Sequence, residues 1–527
     1  MRLFLKITGV VLLLICISAY VFWKYFAEDI VVEALQKEAE TAVNDIWQEE
    51  IIYHPGTIVI DIARRKAVLS NYSIYVLANG DTMASIVLPS IEVKWKSTLG
   101  LIKQEKIHFR SLIVKEPEIK YSTSVNLKKR DQVKPIDVHV DLLAFQGAAI
   151  EIDFAESTQN LSAKATVSTH NFSWIAQQPF HLVHDFLRKS KLSIIDIYSD
   201  LSDGFHRVML DKFILDGAKG VVHVSGLVFE PKFDRATFAK KRGVETDHIV
   251  FTADSIDVLR TNFADNDSLM IELVAFYGSE LLAHRDKNYQ MPEDRFVPIL
   301  VDNLLQWSVP LFVEQVTFKD GNIVYEELAD GKEEAGKVVF SDFDGSVYNV
   351  TNLPDLIEDE EKLLVLEATT RLYGKGRLTV EVNYDLLSEN GRFWAQGHLR
   401  AMDLQSANDI LTPLSTLEVK TGRSEAVYFT FGGSRLRAHG DLIFRYDDLK
   451  LKWEEDSKMI KRFVKNTLTN WVVPTSNPNR KGQHRIGAID FERDTQRSMF
   501  NYWWKSLETG FLSVMGVRDA KEIKKEE

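Results

Sequence analysis

IHFRSLIVKEPEIKY, residues Ile107–Tyr121, is the stretch from which the fold is read. Its apolar residues fall at Ile107, Phe109, Leu112, Val114, Ile119 and Tyr121, with Pro117 between the second and third pairs. Strict alternation puts every second side chain of a strand on one face. Here the step lengthens after Phe109 and again around Pro117. An extra residue at each break is what a β-bulge supplies, and it bends the strand while keeping the apolar side chains on one side. The spacing recurs at Val138, Val140, Leu143, Phe145, Ala148, Ile150, Ile152. It recurs again at Leu269, Ile271, Val274, Phe276, Ser279, Leu281, Ala283, and at Leu311, Val313, Val316, Phe318, Gly321, Ile323, Tyr325. A weaker copy runs Val208, Leu210, Phe213, Leu215, Ala218. At 45% apolar residues, chance supplies about one such window, so four strict copies mark a real pattern. Their irregular separation excludes a fixed-period solenoid.

Outward from these copies, further strands appear. Ile91, Val93 and Trp95 alternate with Glu92, Lys94 and Lys96, and Ser255-Ile256-Asp257-Val258 precedes Leu269 much as Ser90-Ile91-Glu92-Val93 precedes Ile107. From Lys337 the chain reads as strand after strand, with a turn at Ser388–Gly391. Helices are expected over 28–50, within an insertion at about 172–204 centred on Pro179–Ser202, and over Glu293–Trp307. Two more are expected over Asp456–Val472 and Met499–Met515. The last carries Trp503 and Trp504, read either as a helix covering the end of the sheet or as one resting on a membrane or partner. The regions divide as 1–27 (cytoplasmic tip and anchor), 28–56 (helical linker), 57–330 (bulged strands), 331–455 (further strands) and 456–527 (helices, a strand and a charged tail).

Ile7–Trp23 carries no charge, follows Arg2 and Lys6, and ends in the aromatic cluster Tyr20, Phe22, Trp23, Tyr25, Phe26. That reads as a single membrane span near the lower length limit, with an interfacial aromatic belt. A cleaved signal peptide is the competing reading, and the aromatic flank favours a retained anchor. The basic residues before the span and Glu28 and Asp29 after it place the N-terminus in the cytoplasm and the bulk of the chain outside it.

The net charge of −12 argues against a nucleic-acid partner, whose phosphates call for a basic surface. The single cysteine, Cys16, lies in the apolar segment, so the rest of the chain has neither a disulfide nor a cysteine-based metal site. Val338–Ser346, VVFSDFDGS, resembles the first motif of haloacid-dehalogenase phosphatases, but another strand-like run follows where that chemistry needs a helix. A turn between strands is the preferred reading. His181, His184 and Asp185 sit at helical spacing without a third ligand, and Glu358–Glu361 lacks the spacing of a calcium loop. No enzyme activity, catalytic set, cofactor or metal site is expected.

The anchor, the bulged strands and the order SIEVKW…IHFRSLIVKEPEIKY, with GRLTVEVNYDLLSENGRFWAQGHL (Gly376–Leu399) and HGDLIFRYDDLKLKW (His439–Trp453), together resemble the AsmA-like family of bacterial envelope proteins, including its domain-of-unknown-function 748 branch. The match is fullest over Met1–Tyr121. The resemblance implies a mostly β protein: an N-terminal transmembrane helix, then an elongated, curled, gutter-like antiparallel sheet with a few accessory helices. It implies an inner-membrane anchor, a periplasmic body, and lipid binding or transport along an apolar lining for outer-membrane biogenesis or maintenance. Phospholipid or another envelope lipid, the inner membrane, and an outer-membrane or periplasmic protein would be the partners. The candidate lining residues are Ile107, Phe109, Leu112, Val114, Ile119, Val274, Phe276, Val316 and Phe318. A non-catalytic scaffold of an envelope assembly complex is the alternative, because a closed two-layer core and an open gutter both bury one face of each strand.

Overall fold

The computed structural model describes residues 50–516, apart from 62–63, 79–80, 97–106, 123–136, 155–158, 176–181, 261, 264–267, 360, 416 and 454–472. The expected anchor, the helix over 28–50 except for Glu50, which instead begins a strand, the helix over 456–472 and the charged tail lie outside the described residues. Among the described residues, no helix is long and apolar enough to cross a membrane. The chain is mostly β and forms two compact units, Met1–Gly226 and Leu227–Glu527.

In the first unit, Glu50–His54 and Thr57–Asp61 both pair antiparallel with Lys66–Ala78, which pairs with Asp81–Trp95. The stretch that opened the sequence reading is one strand broken in two. Ile107–Lys115 and Glu118–Ser122 each pair antiparallel with Asp81–Trp95 and parallel with the unbroken Asp137–Asp153. Asn160–Ile175, Ser190–Asp200 and His206–Asp216 continue antiparallel. The second unit repeats this scheme. Asp247–Leu259 pairs antiparallel with Leu269–Tyr277 and Glu280–Asp286, and both of these run parallel to Leu311–Leu328. Antiparallel strands then follow through Ala335–Thr351, Leu363–Leu372, Gly376–Asp385, Phe393–Asp403, Leu417–Gly433, Arg437–Trp453 and Ile486–Glu492.

The four strict copies of the apolar spacing are therefore two pairs of parallel neighbours, and they lie in register. Phe109 faces Val140, Leu112 faces Leu143, Val114 faces Phe145, and Ile119 faces Ile150. In the second unit Ile271 faces Val313, Val274 faces Val316, Phe276 faces Phe318, and Leu281 faces Ile323. The second break falls at a left-handed residue in every copy: Glu116 (φ 50°), Gly147 (φ 66°), Gly278 (φ 58°) and Asp320 (φ 54°). The ladder carries through it by the same two bonds in each unit. Glu116 N–H donates to Gln146 O (2.7 Å) and Ala149 N–H to Pro117 O (2.8 Å); Gly278 N–H donates to Lys319 O (3.1 Å) and Asn322 N–H to Ser279 O (2.8 Å).

Four expectations need correction. The pairing is mixed rather than antiparallel throughout, since each broken strand runs parallel to the next copy. Among its described residues, the insertion at about 172–204 is helical only over Leu182–Lys189; Ser190–Asp200, rich in Ile, is a strand with partners on both edges. The helix expected over Glu293–Trp307 shortens to Leu300–Leu305, because Pro298 disfavours helical geometry before it and Val297 N–H bonds instead to Thr495 O at 2.8 Å. Val338–Ser346 is not a turn between strands. It lies inside Ala335–Thr351, where left-handed Asp342 (φ 49°) makes a bulge and pairs with Arg371 at 3.0 Å.

The expected C-terminal helix forms over Met499–Val514, with the Ser498 hydroxyl accepting from Asn501 N–H at its start. It packs Tyr502 and Val514 against Tyr384, Phe393, Phe431 and Leu442 to close the core over the last strands. A Cβ on Gly487 would stand 2.1 Å from Gly510 O, so this approach of strand and helix requires glycine.

The left-handed kinks make a reciprocal prediction. Gly147→Ala loses about 1–2 kcal/mol through backbone strain alone, since its new Cβ meets only the Glu116 side chain, at an ordinary 3.7 Å. Glu116→Gly relieves that strain and shifts stability the other way, after subtracting the extra entropy of glycine. Urea unfolding midpoints of the two variants check the sign.

Candidate functional site

The lining residues drawn from the sequence fall into two environments. In the first unit, Phe109 (2% exposed), Leu112 (0%) and Val114 (0%) pack into a closed cluster with Trp95, Val140 and Leu143, and Ile119 rests half-buried against it. The Ile107 side chain lies outside the described residues. A side chain with no accessible surface cannot touch an external acyl chain in this conformation. In the second unit, Val274, Phe276, Val316 and Phe318 are all half-buried.

That second set belongs to a larger apolar face. Val258, Val274, Val316 and Val347 form a row of valines across four neighbouring strands. Beside it, Phe251, Phe276, Phe318 and Phe343 make a phenylalanine ladder. Phe276 and Phe318 stack at 4.8 Å with 13° between ring planes, and the outer two rings stand 6.2 Å from their neighbours. Phe318 lies opposite Gly345, and the Phe343 ring occupies the space beside that glycine, 3.0 Å from where a Cβ would sit. The bulges make this possible: they keep residues on both sides of each kink facing the same way.

One end of the face is polar. Beyond Ile249, Ala283 and Tyr325, the next aligned row is Asp247, Arg285 and Glu327. Arg285 is 3% exposed and forms a two-point bond to Asp247 (2.6 and 2.5 Å). Burial works against its charge, but the bonds to Asp247 outweigh that and hold its pKa above the usual arginine value. Lys287 pairs with Glu327, which also accepts from the Tyr325 hydroxyl at 2.7 Å, and burial raises the Tyr325 pKa. At the same end Phe500, from the C-terminal helix, meets Tyr325 and Phe340 at 5.9 and 6.3 Å.

The opposite side of the later strands holds a concavity of about 720 Å³, lined in part by Glu367, Glu381, Gln396, His398, Tyr428 and Asp441. Its carboxylates make it a poor seat for an acyl chain. Asn383 and Gln396 donate to Glu381 and hold its carboxyl below the usual range.

The chemistry weighed on the sequence is dispersed. The HLVHD side chains lie outside the described residues, and Glu358, Asp359 and Glu361 occupy a loop after the short turn of helix Pro354–Leu356. Among the described residues, one group could hold a metal: His108, His139 and Asp141, whose ligand atoms converge within 4.8 Å. The available signal was the histidine occupying the second slot of each of the first two copies, IHF and VHV. Alternation assigned those slots to a solvated face and so passed over them.

In comparison with known proteins, no family model matches the chain and no curated relative is found.

Two substitutions separate the environments. Phe109→Ala, in the closed cluster, is expected to cost about 3–5 kcal/mol, whereas Phe276→Ala costs about 1–2 kcal/mol because its truncation leaves no sealed cavity. Arg285→Leu strands the Asp247 carboxylate and costs about 3–5 kcal/mol. Chemical denaturation measures all three.

Proposed function

We propose that the protein is a non-catalytic lipid-binding protein, which holds acyl chains along the apolar face of its second unit. The observation that carries this reading is the half-buried ladder Phe251–Phe276–Phe318–Phe343 and its row of valines. Apolar surface left part-open over four strands costs free energy in water, and an acyl chain laid on it regains about 0.8 kcal/mol per buried methylene. The charged row at Asp247, Arg285 and Glu327 then marks the end beside which a headgroup stays in water. The proposed apolar lining is thus assigned to the second unit, because the first keeps its matching residues in a closed cluster. The uncharged segment Ile7–Trp23 and the resemblance to AsmA-like proteins support an inner-membrane anchor, a periplasmic body and a role in outer-membrane upkeep.

A scaffold role has one observation in its favour. Phe500 and Trp504, one helical turn apart on Met499–Val514, are each 43% exposed and offer an aromatic patch to a protein partner.

Photo-crosslinking tests the two together. A benzophenone-bearing phenylalanine analogue placed in cells at position 276 or 318 is expected to yield phospholipid adducts by mass spectrometry. The same analogue at Lys319, one residue around on the opposite face, yields none. Protein adducts at 500 and 504, with no lipid at 276 or 318, replace the lipid reading with the scaffold.

A further inference from the structure

The first unit carries a polar cluster that the apolar face does not explain. His108 and His139 are direct partners across the parallel pair, and Ser173 faces His139 from the next strand. The three therefore stand side by side on adjacent strands. They lie on the face opposite Phe109 and Val140, because neighbouring residues of a strand alternate. Asp141, two residues beyond His139, returns to the same face. His108 Nε2 lies 2.6 Å from Asp141 Oδ1, and His139 Nε2 lies 3.3 Å from the same oxygen. The two rings meet edge to face with centroids 4.4 Å apart. All three side chains are about one-third exposed, so the cluster is reachable from solvent.

We propose that His108, His139 and Asp141 bind a divalent transition-metal ion through His108 Nε2, His139 Nε2 and Asp141 Oδ1. Imidazole and carboxylate together suit zinc and its first-row neighbours. Ligands about 2.1 Å from a tetrahedral ion stand about 3.4 Å from one another. At 2.6 and 3.3 Å, both distances to Asp141 Oδ1 are shorter than that, so an ion would replace the His108–Asp141 hydrogen bond while the side chains rotate slightly apart. The surrounding contacts favour it too. His139 Nδ1 lies 2.8 Å from Ser173 Oγ; donation along that line leaves the Nε2 lone pair aimed at the cluster, the outer-shell arrangement that orients metal-ligating histidines. Lys96 Nζ approaches Asp141 from the other carboxylate oxygen, at 3.8 Å, and leaves Oδ1 available. Three protein ligands leave the remaining positions to water or an anionic ligand.

The internal repeat supplies a control. The positions in the second unit that match His108 and His139 are Met270 and Phe312, which face each other in the same parallel register. The fold accepts an apolar pair there, so pairing of the strands does not require the histidines. Without an ion, a neutral imidazole satisfies the cluster by donating its Nε2–H to Asp141 Oδ1, so the close approach is explained either by hydrogen bonds or by a metal. Metal binding distinguishes these.

The test uses the full-length chain in detergent, titrated with Zn²⁺ by calorimetry and with Co²⁺ by visible absorption. One saturable site per chain is expected, with the Co²⁺ bands of imidazole coordination. The double variant His108→Met/His139→Phe, which installs the pair found in the second unit, removes the site while unfolding as the parent does. Ser173→Ala weakens affinity about tenfold. His181→Ala/His184→Ala leaves binding unchanged, which excludes the other histidine pair. The proposal is overturned if folded parent protein shows no saturable binding, if the His108/His139 variant binds undiminished, or if the His181/His184 variant is the one that loses the ion.

Discussion

The in-register parallel pairing of two bent strands is the constraint on which each unit depends. Parallel neighbours keep one face aligned only if both bend at the same place. Glu116 with Gly147, and Gly278 with Asp320, are that shared bend. A left-handed residue is costly for anything but glycine. Each pair places glycine on one strand and an acidic residue on the other, so half of the strain is avoided. Matching cross-strand bonds from Glu116 and Gly278 carry the ladder through the bend. Without the shared bend, the residues after it would turn to the wrong face, and the apolar rows would end there.

The two units spend this framework differently. At matching positions the first unit places Leu112, Val114 and Leu143, which pack with Trp95 and Val140 into a closed cluster, and Phe145, which rests half-buried against it. The second places Val274, Phe276, Val316 and Phe318, whose rings stack along the sheet and keep part of their surface in water. Of these four positions only Val114 gives way to a phenylalanine, Phe276, and that one change lets its ring stack on Phe318, the counterpart of Phe145. Stacked rings satisfy one another laterally, and a face built that way can stay open.

Much of this was legible in the spacing. The lengthened steps mark the bends, the four copies mark the paired strands, and the run at Met499–Met515 marks a covering helix. What periodicity cannot report is who the neighbour is. A side-chain period of two assigns each residue to a face but is the same for parallel and antiparallel partners, so the pairing of Phe109 with Val140 had to come from the structure. Burial is hidden for the same reason: Phe109 and Phe276 look alike in sequence, and their difference lies in what packs above them. Ser190–Asp200 was obscured by an adjoining helical run, and only its ladders on both edges decide it. His108 and His139 escaped because each alone is an ordinary solvated residue. The register that makes them a pair is a tertiary fact.

A face of this kind suits holding more than trapping. A single acyl chain gains about 0.8 kcal/mol for each methylene it buries, and a part-open face buries only one side of the chain. Comparable one-chain anchors to membranes bind marginally and reversibly. The salt-bridged row of Asp247, Arg285 and Glu327 limits affinity further at one end, since its charges are already paired and gain little from a headgroup. On the proposed reading, weak and reversible contact along a continuous apolar row is what passage requires. A closed cavity of the same residues would bind lipid more tightly and release it more slowly, because desolvating both sides of the chain deepens the well from which it must escape.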